Sequence, residues 1–376
     1  MMKIKKRVIQ ILKKFQKNFN SSKINSPINN IGIDSMSFVQ LRVEIDQEFS
    51  MNISDKIWYG FNTIGDLIAH IDKNTKKKNS LKPKKPIKEP VFIEDYEINL
   101  PQMANNVLSE NWLFKELGDS HWKLLTEGIS TKSSEIKDGD GNRLYATFAR
   151  IRIDTVPLNK FKENDNFQIN GKIVRYGQNN YTSKFISDKK SHLIKADLMT
   201  IFSKRDNDSN IDLIKSNPKI EKNNIKEIET SPDLLEGYRL VKKRLIDNHI
   251  LNDEKISLEE NDIFSVEYKI NPYYDLNGVG LLYFAAYPTI VDFCESKYFN
   301  TSKKVKTRWE NEYFTISKDI FYYGNSNIDD LLLLKINNYQ FFNKNKVKIY
   351  SSLFRKSDNK LIADIFTIKK YYHQLH

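Results

Sequence analysis

One serine in the sequence could carry a covalently attached phosphodiester. Ser35 lies in the segment Gly32-Ile33-Asp34-Ser35-Met36, between a polar loop and an apolar stripe with helical spacing. A hydroxyl at the start of a helix lies beside unpaired backbone N–H groups and the positive end of the helix dipole, which favour an attached anion. The alternative is that Ser35 is an ordinary helix cap.

The elements that would position this serine are helical. Apolar residues at three- and four-residue spacing predict a first helix over Val8–Phe19 and a second over Phe38–Phe49. Thr63, followed three residues later by Asp66, is typical of a capping arrangement and predicts a last helix after a short helical turn. We therefore predict an all-α four-helix bundle over residues 1–74.

This unit resembles an acyl carrier protein. The resemblance rests on the serine segment, the core positions and the closing helix, namely Gly32-Ile33-Asp34-Ser35-Met36, Leu41, Ile45, Phe49, Ile53 and Thr63-Ile64-Gly65-Asp66-Leu67. It implies that Ser35 carries 4′-phosphopantetheine, whose thiol holds an acyl group as a thioester. Met36 replaces the leucine that is usual after the serine.

Composition excludes several other classes of function. The 376-residue chain has 60 basic and 48 acidic residues, a net charge of +12, but much of the excess lies in the first 25 residues and in a Lys/Pro-rich linker at 75–90. Neither nucleic-acid binding nor a membrane helix is expected. Cys294 is the single cysteine, so we predict no disulfide within the chain, and we expect its side chain to be buried. We also predict a cytoplasmic protein without bound metal.

Residues 91–376 show the same pattern twice, a helix followed by strands. Helical patterns over Leu108–Leu125 and Val279–Glu295 each precede four segments rich in β-branched and aromatic residues. An Ala-Asp-[Leu/Ile]-x-Thr-Ile segment occurs at 196–201 and again at 363–368, each time after a Ser-Asp turn.

The duplication predicts an α+β fold in which antiparallel strands wrap one long helix in each repeat. We place the first repeat at 91–205 and the second at 233–376, with a polar connector at 206–232.

This second module resembles the bifunctional acyltransferase/decarboxylases of leinamycin-type polyketide assembly. The matching blocks are Leu100-Pro101-Gln102-Met103, the stretches 108–119 and 121–122, Asn142-Arg143-Leu144-Tyr145-Ala146, and Asn277-Gly278-Val279-Gly280-Leu281-Leu282-Tyr283-Phe284. The resemblance implies a double hot-dog fold, two antiparallel sheets each wrapping a long helix. It also implies an enzyme that takes methylmalonyl from coenzyme A, removes CO2 and leaves propionyl on a carrier thiol.

Such an enzyme must stabilise an enolate, so hydrogen-bond donors must face the thioester oxygen. The loop at 277–280 is expected to open the second helix and to present the Asn277 amide with the N–H groups of Gly278 and Val279. Apolar walls, which favour loss of a carboxylate as neutral CO2, are expected from Trp112, Leu282 and Phe284.

The roles of the remaining candidates stay open. Tyr145 corresponds to the family's acyl-transfer tyrosine; it could accept the acyl group, hydrogen-bond the thioester oxygen, or simply pack in its strand. His121 could be a general base or a locally satisfied helix residue. Asp292 and Glu295 could contact substrate or cap a helix, and Asp275 could order the Asn277 loop.

These observations lead to one main hypothesis and two alternatives. The main one is a (methyl)malonyl-CoA acyltransferase/decarboxylase that loads its own carrier domain in cis, or another carrier in trans, within a polyketide-synthase-type assembly. The alternatives are a hot-dog dehydratase or thioesterase acting on carrier-bound acyl chains, and a non-catalytic acyl-binding or docking component. Acyl-CoA and carrier domains are the expected partners, and a homodimer is compatible with the sequence.

Overall fold

The computed structural model describes residues 2–16, 19–28, 31–32, 41–42, 44–46, 48–49, 51, 53, 55–58, 60–79, 89–207, 209–211, 213–302, 305–343 and 345–372. The chain divides into two compact units, Met1–Ile87 and Lys88–His376.

The N-terminal unit is helical. Its described elements are the helices Met2–Phe15, Asp55–Trp58 and Ile64–Asn79, the 3-10 helix Ser21–Asn25, and helical residues at 41–42, 44–46 and 48. The apolar stripes meet in a core that includes Val8, Leu12, Leu41, Ile45, Leu67 and Ile71, all fully buried. Thr63 Oγ1 accepts a hydrogen bond from the Asp66 N–H at 3.1 Å, and Asp66 accepts one from the Thr63 N–H at 2.9 Å. This reciprocal pair is the predicted capping arrangement.

The last helix of this unit extends beyond the predicted boundary. It continues to Asn79, so the first residues of the predicted 75–90 linker are helical. Lysine favours helix, and the first proline after Asn79 is Pro83.

Ser35, the predicted attachment site, lies outside the described residues.

The C-terminal unit is built on a 12-stranded sheet. Strands of the first half and of the segment that follows it are β1 (Val91–Glu97), β2 (Met103–Ala104), β3 (Val107–Leu108), β4 (Tyr145–Thr155), β5 (Asn166–Tyr176), β6 (Asn180–Ser187), β7 (Ile194–Arg205), β8 (Leu213–Lys215) and β9 (Lys226–Glu227). The strands after them are β10 (Asn248–Leu251), β11 (Glu254–Ser257), β12 (Phe264–Lys269), β13 (Tyr313–Tyr322), β14 (Leu331–Phe342), β15 (Lys346–Arg355) and β16 (Lys360–Tyr371).

The strand order shows that the two halves repeat one topology. The order is β1-β5-β6-β7-β4 in the first half, continued by β13-β16-β15-β14-β12 in the second. Each half also contains a long helix, Glu110–Ile129 (the first central helix) and Ala286–Thr301 (the second central helix), whose apolar residues lie in the same core as the sheet. The double hot-dog prediction is confirmed, with the refinement that β4 pairs with β13 and joins both halves into one continuous sheet.

The sequence repeat falls on equivalent hairpins. The segment at 196–201 lies in β7, beside β4, and the segment at 363–368 lies in β16, beside β13. Two boundaries differ from prediction. The second repeat begins with β12, because a helix at Asp233–Lys242 and the β10–β11 hairpin are inserted before it. The 206–232 connector contains β8 and β9, which extend the first half.

The second central helix begins later than predicted. It starts at Ala286 rather than Val279. The cause is local: Gly280 has a φ of +76°, and the Asn277 side chain accepts hydrogen bonds from the N–H groups of Val279 and Leu281 at 3.1 and 3.0 Å. A side chain that binds nearby backbone in this way competes with helix formation.

A buried ion pair crosses the seam between the two halves. Arg150 on β4 donates to both carboxylate oxygens of Asp319 on β13, at 3.0 and 2.7 Å, and His249 of the inserted hairpin lies 3.0 Å from the same carboxylate. Burial by itself raises the pKa of Asp319, but the Arg150 charge and these hydrogen bonds hold it well below its usual range. The ionised carboxylate therefore stabilises the fold.

This ion pair predicts a specific loss of stability in acid. A lowered pKa contributes stability that is complete above the unfolded value of about 4 and is lost as the pH falls through the folded value. Chemical denaturation of the wild type between pH 5 and pH 2 should include a decrease of about 2–3 kcal/mol that is missing in Asp319→Asn. Asp154→Asn, which removes a more exposed carboxylate on β4, should keep it. Equal acid dependence of the wild type and Asp319→Asn would contradict this role.

Candidate functional site

A cavity of about 950 Å³ opens where β4 begins and β13 ends. Its volume is in the range of small-molecule sites. Tyr145, Asn277, Gly278, Val279 and Phe284 all line it. The structure thus brings together five of the residues that the sequence singled out, from segments more than 130 positions apart.

Tyr145 is the first residue of β4, and the loop before it is firmly ordered. Asp138, inside that loop, accepts hydrogen bonds from the side chain and N–H of Asn142 and from Lys204 of β7. The hydrogen bond from the Asn142 side chain is the main reason that the pKa of Asp138 lies well below its usual range. The Tyr145 hydroxyl accepts a hydrogen bond from Arg205 Nη1 at 3.2 Å.

The Asn277 loop provides fewer free donors than predicted. The Val279 N–H is already bound to the Asn277 side-chain oxygen, so it does not face a ligand freely. Within the described part of the chain, the Asn277 amide Nδ2 and the Gly278 N–H have no hydrogen-bond partner. Asp275 lies at the base of the loop: its carboxylate accepts from the Tyr268 hydroxyl at 2.9 Å, and its main-chain carbonyl accepts from the Tyr283 N–H at 2.6 Å on the other side of the loop.

Aromatic side chains form much of the cavity wall. Phe284 packs on Phe148 with ring centroids 4.3 Å apart, and Leu282 also lines the cavity. Phe284 lies so close to the first central helix that a Cβ on Gly118 would be 2.1 Å from its ring, so position 118 requires glycine. Trp112 is not among the described lining residues; it packs against Tyr96 at 5.8 Å instead.

His121 has a structural role in the first central helix. It is fully buried, with its ring nitrogens 2.7 Å from the Ser183 hydroxyl and 2.9 Å from the Thr200 hydroxyl. Burial lowers its pKa to about 3, so the ring is neutral. It is outside the cavity lining, and the structure supports the locally satisfied residue rather than the general base.

Asp292 and Glu295 neither cap a helix nor line the cavity. They lie within the second central helix, where Asp292 is 2.9 Å from both Lys318 and Lys369, and Glu295 is 2.9 Å from Lys369. Cys294 between them is buried as expected, and burial raises its thiol pKa to about 12.

Sequence reasoning missed three groups at this site. Arg205, at the end of β7, and Asn210, in the connector, hold the Asn277 loop, and Asp119 of the first central helix lines the cavity. Nothing in the local sequence marks Arg205 or Asn210, because their partners are about 70 residues away. Asp119 follows Gly118 on a helix that the spacing of apolar residues predicted. The sequence did not show which residues would lie near Asp119 across the cavity.

Two further observations concern the described residues only. No group of three or more His, Cys, Asp or Glu side chains among them is arranged to hold a metal ion. None of their helices has the length and apolar character to span a membrane.

Comparison with known proteins shows the fold of the C-terminal unit and the family of the N-terminal unit. The C-terminal unit has the fold of a structure described as an oleoyl thioesterase from Lactobacillus plantarum, at a TM-score of 0.54 and 8% identity, over 76% of this chain and 98% of that one. At this identity the likeness shows the fold alone, an α+β hot-dog fold. The family model for a phosphopantetheine attachment site matches residues 6–71.

Sequence relatives identify the N-terminal unit. A protein described as a mitochondrial acyl carrier protein of Schizosaccharomyces pombe is 32% identical over 76 residues, 19% of this chain and 68% of that protein. An acyl carrier protein of Clostridium perfringens is 36% identical over 50 residues, 13% of this chain and 66% of that protein. Through this unit the chain belongs to the acyl carrier protein family.

Proposed function

We propose that the C-terminal unit is an acyltransferase/decarboxylase of the leinamycin type. It takes methylmalonyl- or malonyl-coenzyme A and releases CO2, and the resulting enolate takes up a proton to give the acyl thioester. The thiol of a phosphopantetheinyl carrier then accepts the acyl group and displaces coenzyme A, with the chain's own Ser35 as the first choice of carrier. The observation that supports this most directly is the shared cavity: the Tyr145 hydroxyl and the Asn277–Gly278 donors line one space and are linked through Arg205.

The lining residues match the requirements of decarboxylation. As CO2 leaves, negative charge develops on the thioester oxygen, and preorganised donors stabilise it. Asn277 Nδ2, the Gly278 N–H and the Tyr145 hydroxyl are available for this. Phe148, Leu282 and Phe284 provide an apolar wall that favours the neutral product over the carboxylate.

The carrier residues fit a pantetheinylated domain. Ile31 and Leu41, the nearest described core residues on either side of the serine segment, are 1% and 0% exposed and lie in the bundle core. The prosthetic arm would supply the thiol that accepts the acyl group, and Ser35 would hold it at the protein.

Intact-mass measurement tests this proposal. Phosphopantetheinylated protein is incubated separately with methylmalonyl-, malonyl-, saturated and 3-hydroxyacyl-coenzyme A. Gain of a propionyl or acetyl group from the first two substrates supports the proposal. Free acid or dehydrated acyl chains would indicate a thioesterase or dehydratase, and unchanged substrates would indicate a binding component.

Hydrolysis is the second candidate, and Asp119 is the observation that favours it. This carboxylate lines the same cavity, 3.1 Å from Lys123, and a carboxylate can activate water. The structural relative is also described as a thioesterase.

Replacement of Asp119 separates the two candidates. For an acyltransferase/decarboxylase we expect Asp119→Asn to leave the rate of CO2 release unchanged, because enolate formation by decarboxylation needs donors rather than a base. For a hydrolase the same change should lower the rate of acid release by about 10²–10⁴-fold. Lys123→Gln, which removes the neighbouring charge and keeps Asp119, is the matched control.

A further inference from the structure

Arg205 connects the two parts of the cavity that come from different halves of the fold. It is the last residue of β7, and its three donor groups all have partners. Nη1 donates to the Tyr145 hydroxyl, Nη2 to the Val279 carbonyl, and Nε to the Asn210 side-chain oxygen at 2.9 Å. Asn210 then donates to the Gly280 carbonyl at 2.9 Å. Arg205 of the first half and Asn210 of the connector thus hold two successive carbonyls, those of Val279 and Gly280, in a loop of the second half.

The guanidinium is half-buried, and its hydrogen-bond partners are neutral. Among the described residues, Arg205 takes part in no ion pair, and neither does its neighbour in the cavity, Arg143. The guanidinium carbons of these two arginines each lie 5.2 Å from the centroid of the Tyr145 ring. A charged donor makes stronger hydrogen bonds than a neutral one. Tyr145 and Val279 are therefore held more firmly than ordinary amide contacts would hold them.

The direction of the hydrogen bond determines what the Tyr145 hydroxyl can do. Its oxygen accepts from Arg205, and its own O–H has no acceptor among the described residues. The proton is thus available to a ligand in the cavity, while one lone pair of the oxygen is occupied. Accepting a hydrogen bond also polarises the O–H and makes it a better donor.

We infer that Arg205 is a positioning residue, which fixes Tyr145 as a hydrogen-bond donor to the thioester oxygen rather than as the acyl acceptor. Together with Asn210 it also sets the separation between this donor and the Asn277–Gly278 donors. The inference rests on the proposed function, since it assigns roles within that site. It selects one of the roles that the sequence left open for Tyr145.

The test measures how strongly the carbonyl group of a bound ligand is polarised. This measurement does not depend on turnover. The probe is the ketone analogue of propionyl-coenzyme A in which a methylene group replaces the sulfur, labelled with ¹³C at the carbonyl. Isotope-edited infrared spectra of the bound probe should show the carbonyl stretch shifted to lower frequency in the wild type. The shift should be reduced in Tyr145→Phe, and reduced to the same extent in Arg205→Gln.

Three controls make the result decisive. Arg143→Gln should keep the wild-type shift, because the Arg143 guanidinium lies over the Tyr145 ring and makes no hydrogen bond to its hydroxyl. Arg205→Lys, which retains a charged donor, should recover part of it. Decarboxylation by Arg205→Gln should fall by about 10²-fold in kcat with little change in KM, because misplaced donors affect the transition state more than binding.

Two results would overturn the inference. One is a wild-type carbonyl shift in Arg205→Gln, and the other is an acyl ester on Tyr145 found by peptide mass mapping during turnover. Failure of the proposed function looks different: the wild type would then not bind the probe, or would bind it and leave malonyl-coenzyme A unchanged.

Discussion

Replacement of Ser35 by alanine is expected to abolish phosphopantetheinylation completely. With a phosphopantetheinyl transferase and coenzyme A, the wild-type chain should gain the mass of one prosthetic arm, and Ser35→Ala should gain none. The reason is covalent, since the hydroxyl is the attachment point that the family resemblance implies and that lies inside the matched residues 6–71. Intact-mass spectrometry gives the result directly.

A matched control is present two residues away. Ser37→Ala removes a hydroxyl from the same segment and should leave the added mass unchanged. Mass addition to Ser35→Ala would disprove the assignment of the attachment site, whatever the catalytic unit does. Mixing Ser35→Ala with Tyr145→Phe then distinguishes the two routes of delivery, because loading above that of Tyr145→Phe alone requires transfer between chains.

Loss of the Asn277 amide donor should have the second-largest effect. Asn277→Asp keeps the side-chain oxygen that accepts from Val279 and Leu281, so the loop can retain its conformation. It removes Nδ2 as a donor and adds a negative charge beside the developing enolate. We expect kcat for decarboxylation to fall by about 10²–10³-fold, the usual loss for one donor to an oxyanion.

The comparison variant for this prediction is Asn277→Ala. It removes the donor and also the acceptor that orders the loop, so its loss should be at least as large. Thermal unfolding of both variants checks that the unit stays folded. Near wild-type turnover by Asn277→Asp would show that the amide does not stabilise the transition state.

Local patterns were enough to predict most of the fold. The capping pair Thr63–Asp66 and the apolar stripes act over a few residues, and β13 to β16 are the four strands predicted after the second helical pattern. The predicted start of the second central helix was wrong, because Val279–Leu282 is apolar and its pattern resembles that of a helix. The side chain of Asn277 instead binds that backbone, which periodicity alone does not reveal.

The site was predicted only in part, for a physical reason. Tyr145 and Asn277 came from a family resemblance, and the cavity contains both. Arg205, Asn210 and the buried partners of His121 depend on which strands become neighbours. Contacts between residues 60 to 80 positions apart are decided by tertiary packing, so spacing within a segment carries no sign of them.

The pairing of β4 with β13 has an evolutionary consequence. In a two-fold symmetric dimer every substitution occurs twice, once on each side of the axis. When both repeats belong to one polypeptide, each can change alone. The first residues of these strands show this: Tyr145 faces an open cavity, whereas Tyr313 is stacked on Trp309 at 4.5 Å. Duplication within a single gene would thus permit the start of β4 to form a functional cavity while the start of β13 became part of the packed core.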